Sequence, residues 1–263
     1  MQPINGRKLA LLLPLLVIIL SSCTKEVPQI NSGKRIIQII PSGADSIGYV
    51  WFTYDNQNRL IGVKDSIDHY PTVYYSTLQY DNQGRVNKVI TSGDFTSNIT
   101  LLYNNNNQVI EKILKNADSS TMGEITRYYY DAKNRMIRDS LYSDLNATNA
   151  YGYASFAYDD NDNLINMIWH PQNNGQWVAY QEFDYLGYDN KLNVYKDLKV
   201  LWYILEDNMI LSKNNVLSYS NYYSNSPNQQ SKTSFTYTYD NNFQITDIGM
   251  VGPFTGSRHF VYN

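Results

Sequence analysis

Three histidines, one acidic run and a single cysteine are the side chains of this sequence best suited to chemistry. His69 precedes Tyr70-Pro71, His170 precedes Pro171 and His259 lies near the C-terminus. No two of them share the short spacing that places ligands on one metal ion. Asp159-Asp160-Asn161-Asp162-Asn163 opens like a calcium-binding loop. The loop would need Gly at its sixth position and Glu at its twelfth, and His170 occupies the twelfth. A hairpin turn accounts for the same residues. There is no Gly-x-Ser-x-Gly elbow, no Gly-x-Gly-x-x-Gly and no phosphate loop. Carboxylates paired for glycoside hydrolysis need only proximity in space, and no spacing here points to them. The expectation is a protein with no catalytic residue, cofactor or metal.

The remaining acids and arginines belong to a repeat. Tyr80-Asp81-Asn82-Gln83-Gly84-Arg85-Val86 recurs in looser form from Tyr54, Tyr103, Tyr130, Tyr158, Tyr188 and Tyr239. Each copy reads Tyr, then Asp or Asn, then a polar stretch, and ends on an aliphatic seventh residue. β-Branched and aromatic runs such as Tyr49-Val50-Trp51-Phe52-Thr53 flank most copies, which predicts β-hairpins. A three-residue hairpin loop is usually a type I turn followed by one residue in the left-handed region. That residue would be Asn58, Gly84, Asn107, Asn134 and Asp162, all types that tolerate positive φ. Leu192 and Phe243 break the rule, so their turns should differ or carry strain. In this register Tyr80 faces Val86 and Asp81 faces Arg85. An opposite-charge pair across two strands contributes about 0.2–1 kcal/mol, which helps pin the register.

Copies fall 23 to 30 residues apart as far as Tyr188, with nothing between them that resembles an interdomain linker. Periods of this length indicate a repeat architecture in which each unit buries its face against its neighbours. From Tyr188 to Tyr239 the interval jumps to 51 residues. There Val194, Leu198, Leu201 and Leu205 form one helical stripe, which predicts a helix over Tyr195 to Glu206; the β character of Val200–Ile204 leaves a strand pair as the alternative. Strands follow at about 217–223, 231–239, 244–250 and 257–262. The fold class is all-β: an antiparallel meander of roughly sixteen strands forming a barrel-like or strongly curved sheet, with one short helix near 195–206.

Residues 1–22 carry Arg7 and Lys8 followed by the apolar stretch Leu9–Leu20, too short for the ~20 residues of a membrane-spanning helix. Leu20-Ser21-Ser22-Cys23 resembles the lipobox of bacterial lipoproteins, which implies cleavage before Cys23 and lipidation of that residue. Residues 23–34 then read as a tether and 35–263 as a single domain. Cleavage leaves 241 residues with 19 cations against 24 acids, a net charge of −5. An acidic chain with no basic cluster argues against nucleic acid. Cys23 is the only cysteine, which excludes an intramolecular disulfide and a thiol nucleophile elsewhere.

Tyr80-Asp81-x-x-Gly84-Arg85-Val86 resembles the YD repeats of Rhs-type surface proteins and toxins, which form β-shells. A fuller resemblance, over nearly all of the mature chain, is to an uncharacterised family of Gram-negative lipoproteins with a porin-like β fold. It rests on the lipobox, the serial Tyr-Asp hairpins, Leu211-Ser212-Lys213-Asn214-Asn215 and Tyr237-Thr238-Tyr239-Asp240. The resemblance implies a barrel-like or strongly curved antiparallel sheet, and it implies no activity, because the family has none assigned. The functional expectation is a lipid-anchored outer-membrane protein, on the periplasmic face or the cell surface, with a non-enzymatic binding or scaffold domain for a glycan or peptide. The alternative is a polymer-degrading hydrolase. A membrane-inserted barrel is disfavoured, because Lys88, Glu111, Lys112 and Arg138 fall at both parities of their strands. Tyrosines outside the turns (Tyr74, Tyr75, Tyr128, Tyr129, Tyr151, Tyr153, Tyr222, Tyr223) supply a candidate binding face. Adjacent ones point to opposite sides of a sheet.

Overall fold

The computed structural model describes residues 34–43, 48–66, 73–93, 96–116, 123–205, 207–253 and 255–263. Cys23, His69, the signal segment and most of the tether lie outside them. The strands of the first half are β1 (Ile36–Gly43), β2 (Tyr49–Tyr54), β3 (Leu60–Ser66), β4 (Val73–Tyr80), β5 (Val86–Ser92), β6 (Ser97–Tyr103), β7 (Val109–Asn116), β8 (Gly123–Tyr130) and β9 (Met136–Tyr142). Those of the second half are β10 (Ala150–Tyr158), β11 (Leu164–Asn173), β12 (Gln176–Trp177), β13 (Gln181–Tyr185), β14 (Tyr188–Leu192), β15 (Asn214–Val216), β16 (Ser218–Tyr223), β17 (Ser231–Tyr239), β18 (Ile245–Val251) and β19 (Gly256–Tyr262).

Sixteen strands close into an antiparallel barrel. Consecutive strands pair from β1 to β11, β11 passes to β13, β13 to β16, and β19 returns to β1 through Ile39↔Phe260 and its neighbours. β12 extends β11, and β14 pairs only with β15. Closure removes the free edges that an open sheet of this size would expose.

Side chains alternate across the wall as the pleat requires. In β4, Ser76 and Leu78 are buried while Tyr75, Thr77 and Gln79 are exposed. In β2, Val50 and Phe52 are buried between exposed Tyr49 and Thr53. The inward set, with Leu60, Val63, Val86, Val89, Leu101, Val109 and Phe156, forms one apolar core. Three charged residues, Lys112, Asp139 and Arg258, are buried in the same barrel.

The predicted helix is present but shorter and tighter than its stripe suggests. Lys196–Leu201 is a 3₁₀ turn with a kink at Leu198, and only Trp202–Leu205 is α-helical. A second 3₁₀ turn follows at Asn208–Leu211. Together they form a plug inside one mouth of the barrel. Leu198, Leu201, Trp202 and Ile210 are buried in the barrel core, and Trp202 meets Tyr128 and Phe156 edge-on at 5.3 and 6.4 Å.

Candidate functional site

The plugged mouth is built from the repeated turns. In the copy beginning at Tyr54, Asp55 Oδ1 accepts the backbone N–H groups of Gln57 and Arg59 at 2.9 and 2.8 Å, and Oδ2 takes the Arg59 guanidinium at 2.7 Å. The same bonds recur at Asp81 with Gln83 and Arg85, and at Asp131 with Lys133 and Arg135. The bond from the arginine's backbone N–H is the main cause holding Asp55 and Asp81 below the usual carboxylate range. At Asp131 burial pushes the carboxyl up, and the Arg135 backbone and side chain outweigh it. Each fifth residue lies in the left-handed region: Asn58, Gly84, Asn107, Asn134 and Asp162 have φ of 64°, 76°, 61°, 63° and 66°. The register slips by one residue at every such turn, as between Gln79 and Tyr80, so each hairpin ends in a β-bulge.

Two further ties join neighbouring copies, and neither is visible from residue spacing. In four copies the tyrosine hydroxyl reaches back to the aliphatic seventh residue of the copy before it. Tyr80 donates to the Leu60 carbonyl at 2.6 Å, Tyr103 to Val86 at 2.6 Å, Tyr130 to Val109 at 2.7 Å and Tyr188 to Leu164. Tyr54 and Tyr262 continue the ring with the Ile36 and Ile245 carbonyls. The sixth-residue arginine lies over the next copy's ring: Arg59 on Tyr80 and Arg85 on Tyr103 at 4.5 Å, Arg135 on Tyr158 at 5.0 Å. The signal for both was the co-occurrence of Tyr and Arg in every good copy.

The plug is rooted at the copy beginning at Tyr188. Asp189 does not close its own turn onto the sixth residue. It accepts from the Asn215 backbone and side chain at 3.2 and 3.0 Å and from the Tyr239 hydroxyl. Asn193 ties the plug's two ends together, donating to the Met209 carbonyl at 2.7 Å while its own backbone N–H bonds the Lys213 carbonyl. The Asp159 turn holds the plug from the barrel side through Asn214 N–H to Asn163 Oδ1 and Lys213 N–H to the Asp162 carbonyl. The acidic run 159–163 is therefore a structural turn. Its Asp162 side chain bonds Arg135 at 3.2 Å.

Two cavities flank the plug. The larger, about 760 Å³, has Val86, Val109 and Met136 in its wall and Gly84, Asn107, Asn134 and Asp162 at its rim. The smaller, about 410 Å³, is lined by Tyr54, Asn58, Asn193, Asp197, Phe243 and Tyr262, among others. Among the described residues each is lined by a single carboxylate, Asp162 in one and Asp197 in the other.

Of the tyrosines that the turns leave over, Tyr75, Tyr129 and Tyr153 lie on the outer wall and Tyr128 points into the core. Tyr74, Tyr128 and Tyr222 are more buried than their exposed neighbours Tyr75, Tyr129 and Tyr223. The outward rings are not scattered. Arg138 lies over Tyr153 at 4.1 Å and reaches Tyr129 at 5.7 Å. Tyr153 stacks on His170 at 4.3 Å and meets Trp177 edge-on at 5.3 Å. A second outward group joins Tyr49, Trp51, Lys64 and Tyr75. Burial holds His170 below its ordinary pKa. Ser155 Oγ lies 3.2 Å from its ring, and His259 pairs with Asp247 at 2.8 Å. Among the described residues no three His, Cys, Asp or Glu side chains gather as a metal site.

No family model matches the chain, and no curated protein matches it. Among solved structures it is similar to a porin-like protein from Bacteroides uniformis, at 11% identity and a TM-score of 0.55 over 87% of this chain and 98% of that one. A porin-like protein from Bacteroides vulgatus aligns over 88% and 99% of the two chains at 8% identity with a TM-score of 0.44. The Photorhabdus luminescens Tc holotoxin pore aligns over 81% of this chain and 10% of its own, at 18% identity and a TM-score of 0.33. The first of these supports a shared porin-like barrel fold.

Proposed function

We propose that this barrel is a non-enzymatic envelope protein, anchored by a lipid on Cys23, that binds an extended glycan along its outer wall. One observation carries the reading: the outward rings and cation of β8 to β12 form a continuous ribbon from Tyr129 to Trp177, and both end residues are more than two-fifths exposed. Contiguous exposed aromatic surface usually marks an interaction site. Arg138 and His170 clamp Tyr153 between them, which fixes the middle of the ribbon and leaves Tyr129 and Trp177 as stacking platforms. A glycan fits better than a peptide, because a closed barrel has no long edge onto which a peptide could add as a strand.

The wall suits water rather than lipid. Lys64, Lys88, Glu111, Arg127, Arg138, Glu182 and Asp184 all occupy outward register positions. A lysine or arginine facing the bilayer midplane costs about 2–4 kcal/mol. No helix among the described residues is long and apolar enough to cross a membrane, which leaves the lipid on Cys23 as the proposed attachment. The hydrolase alternative would want two carboxylates facing each other across a cleft, and among the described residues neither cavity is lined by a pair.

Affinity electrophoresis of the purified protein through a panel of neutral polysaccharides tests the binding reading. Tyr129→Ala with Trp177→Ala should abolish retardation and leave the thermal midpoint nearly unchanged; retardation that survives both substitutions overturns it. For the anchor, mass spectrometry of the mature N-terminus should find an acylated cysteine, and Cys23→Ala should release the protein from membranes.

A further inference from the structure

We infer that the larger mouth cavity is a binding site for an anionic saccharide, separate from the outer ribbon. The protein as a whole is acidic, with 24 acids against 21 cations. This cavity reverses the balance: among the described residues Lys133, Arg135, Lys196, Lys199 and Lys213 line it against Asp162. Asp81 and Asp131, in the turns that carry Gly84 and Lys133, do not offset the excess, because the arginines of their own turns take them up. Arg135 is likewise committed to Asp131 and Asp162, so Lys133 and Lys199 set the field. Lys133 and Lys199 are exposed, and neither makes an ion pair among the described residues. They reach the cavity from two elements, Lys133 from the barrel's β8–β9 turn and Lys199 from the plug.

The rest of the cavity selects against a bare inorganic anion. Its volume of about 760 Å³ falls within the range of small-ligand sites, roughly 300–1,000 Å³. Val86, Val109 and Met136 with Tyr103, Tyr130 and Trp202 give it an apolar and aromatic wall suited to sugar rings. Asn107, Gln108 and Asn134 place amides at the rim, within reach of ring hydroxyls. The ligand class is therefore a short sugar chain carrying carboxylates, as in uronate oligosaccharides.

Titration calorimetry of the purified protein with trigalacturonate is the test, with galactotriose and inorganic phosphate as comparison ligands. Trigalacturonate should bind, binding should weaken as salt is raised to about 0.5 M, and Lys133→Glu with Lys199→Glu should weaken it at least tenfold. Lys133→Arg with Lys199→Arg should keep the affinity within a few-fold. Equal binding of galactotriose would overturn the role of charge. Phosphate displacing trigalacturonate at equal concentration would overturn the saccharide. If the charge reversals prevent folding, the salt dependence and the arginine pair decide, and salt-independent binding overturns the inference. Tyr129→Ala with Trp177→Ala should leave this affinity unchanged, which separates failure here from failure of the outer-wall reading.

Discussion

From Tyr54 to Leu164 the chain repeats one hairpin; from Tyr188 to Ile245 it uses the same residues for something else. In the first region Asp55, Asp81 and Asp131 spend both carboxylate oxygens inside their own turns. In the second, Asp189 turns outward to hold Asn215 and Tyr239, and the chain between Leu192 and Asn214 enters the barrel as the plug. Tyr239 shows the same change, since its hydroxyl goes to Asp189 rather than to a carbonyl of the preceding copy. Where that one turn opens, the plug fills the mouth, and the two cavities lie between it and the barrel wall.

The ring of tyrosines makes alkaline pH the strongest perturbation of the regular region. Burial pushes Tyr54, Tyr103, Tyr130 and Tyr188 from the ordinary 10 up to about 12. The folded state therefore favours the neutral phenol. The stability this contributes is fully present below pH 10 and is lost as pH rises through about 12, because the unfolded chain ionises first. Absorbance of tyrosinate and loss of β circular dichroism should appear together across that window. Ionisation of the whole tyrosine complement near pH 10 with the sheet intact would show that the ring contributes little.

The plug should be the costliest place to remove a single side chain. Trp202 is 4% exposed and touches rings from β8 and β10. Trp202→Ala should cost about 3–5 kcal/mol in denaturant unfolding, within the range for buried aromatics. A cost below about 1 kcal/mol would mean the barrel stands without its plug.

One link of the ring comes next. Tyr80→Phe keeps the ring under Arg59 and deletes only the hydroxyl that bonds Leu60. It should cost about 1–2 kcal/mol, since the carbonyl is left without that partner. Tyr75→Phe on the outer wall, half exposed, should cost almost nothing.

The hairpins, their turn chemistry and the number of strands were legible because each is encoded within seven residues. The closure of the barrel and its plugged mouth were not. The stripe of Val194, Leu198 and Leu201 announces a helix but not that the helix lies inside a barrel, because its partners Tyr128 and Phe156 are roughly 50 to 75 positions earlier. The tyrosine ties span 17 to 24 residues and end on carbonyls, which carry no residue-type signal. Of the candidate sites, the outer ribbon was half legible: adjacent tyrosines require one outward ring, but the row joining Arg138, Tyr153 and His170 depends on strand register. The basic cavity was invisible, because its lysines come from a barrel turn and from the plug.

The smallest effect tests whether the turn rule of the regular region still operates in the irregular one. Gly84 has φ of 76°, and a Cβ added there would meet no atom within 4 Å, so only the backbone opposes a side chain. Gly84→Val should cost about 1–2 kcal/mol, and Gly84→Asn should be nearly neutral, as Asn58, Asn107 and Asn134 hold the same conformation. Phe243 occupies that position in the last copy at φ of 60°, 39% exposed, with Lys191 4.2 Å from its ring. Phe243→Asn relieves strain of about 1–2 kcal/mol and forfeits an exposed cation–π contact of about 0.5–1 kcal/mol. The balance is a gain of about half to one kcal/mol, read as a small rise in denaturation midpoint. A fall instead would mean that the ring's packing at the rim of the smaller cavity outweighs the backbone, and that the last turn obeys its surroundings rather than the repeat.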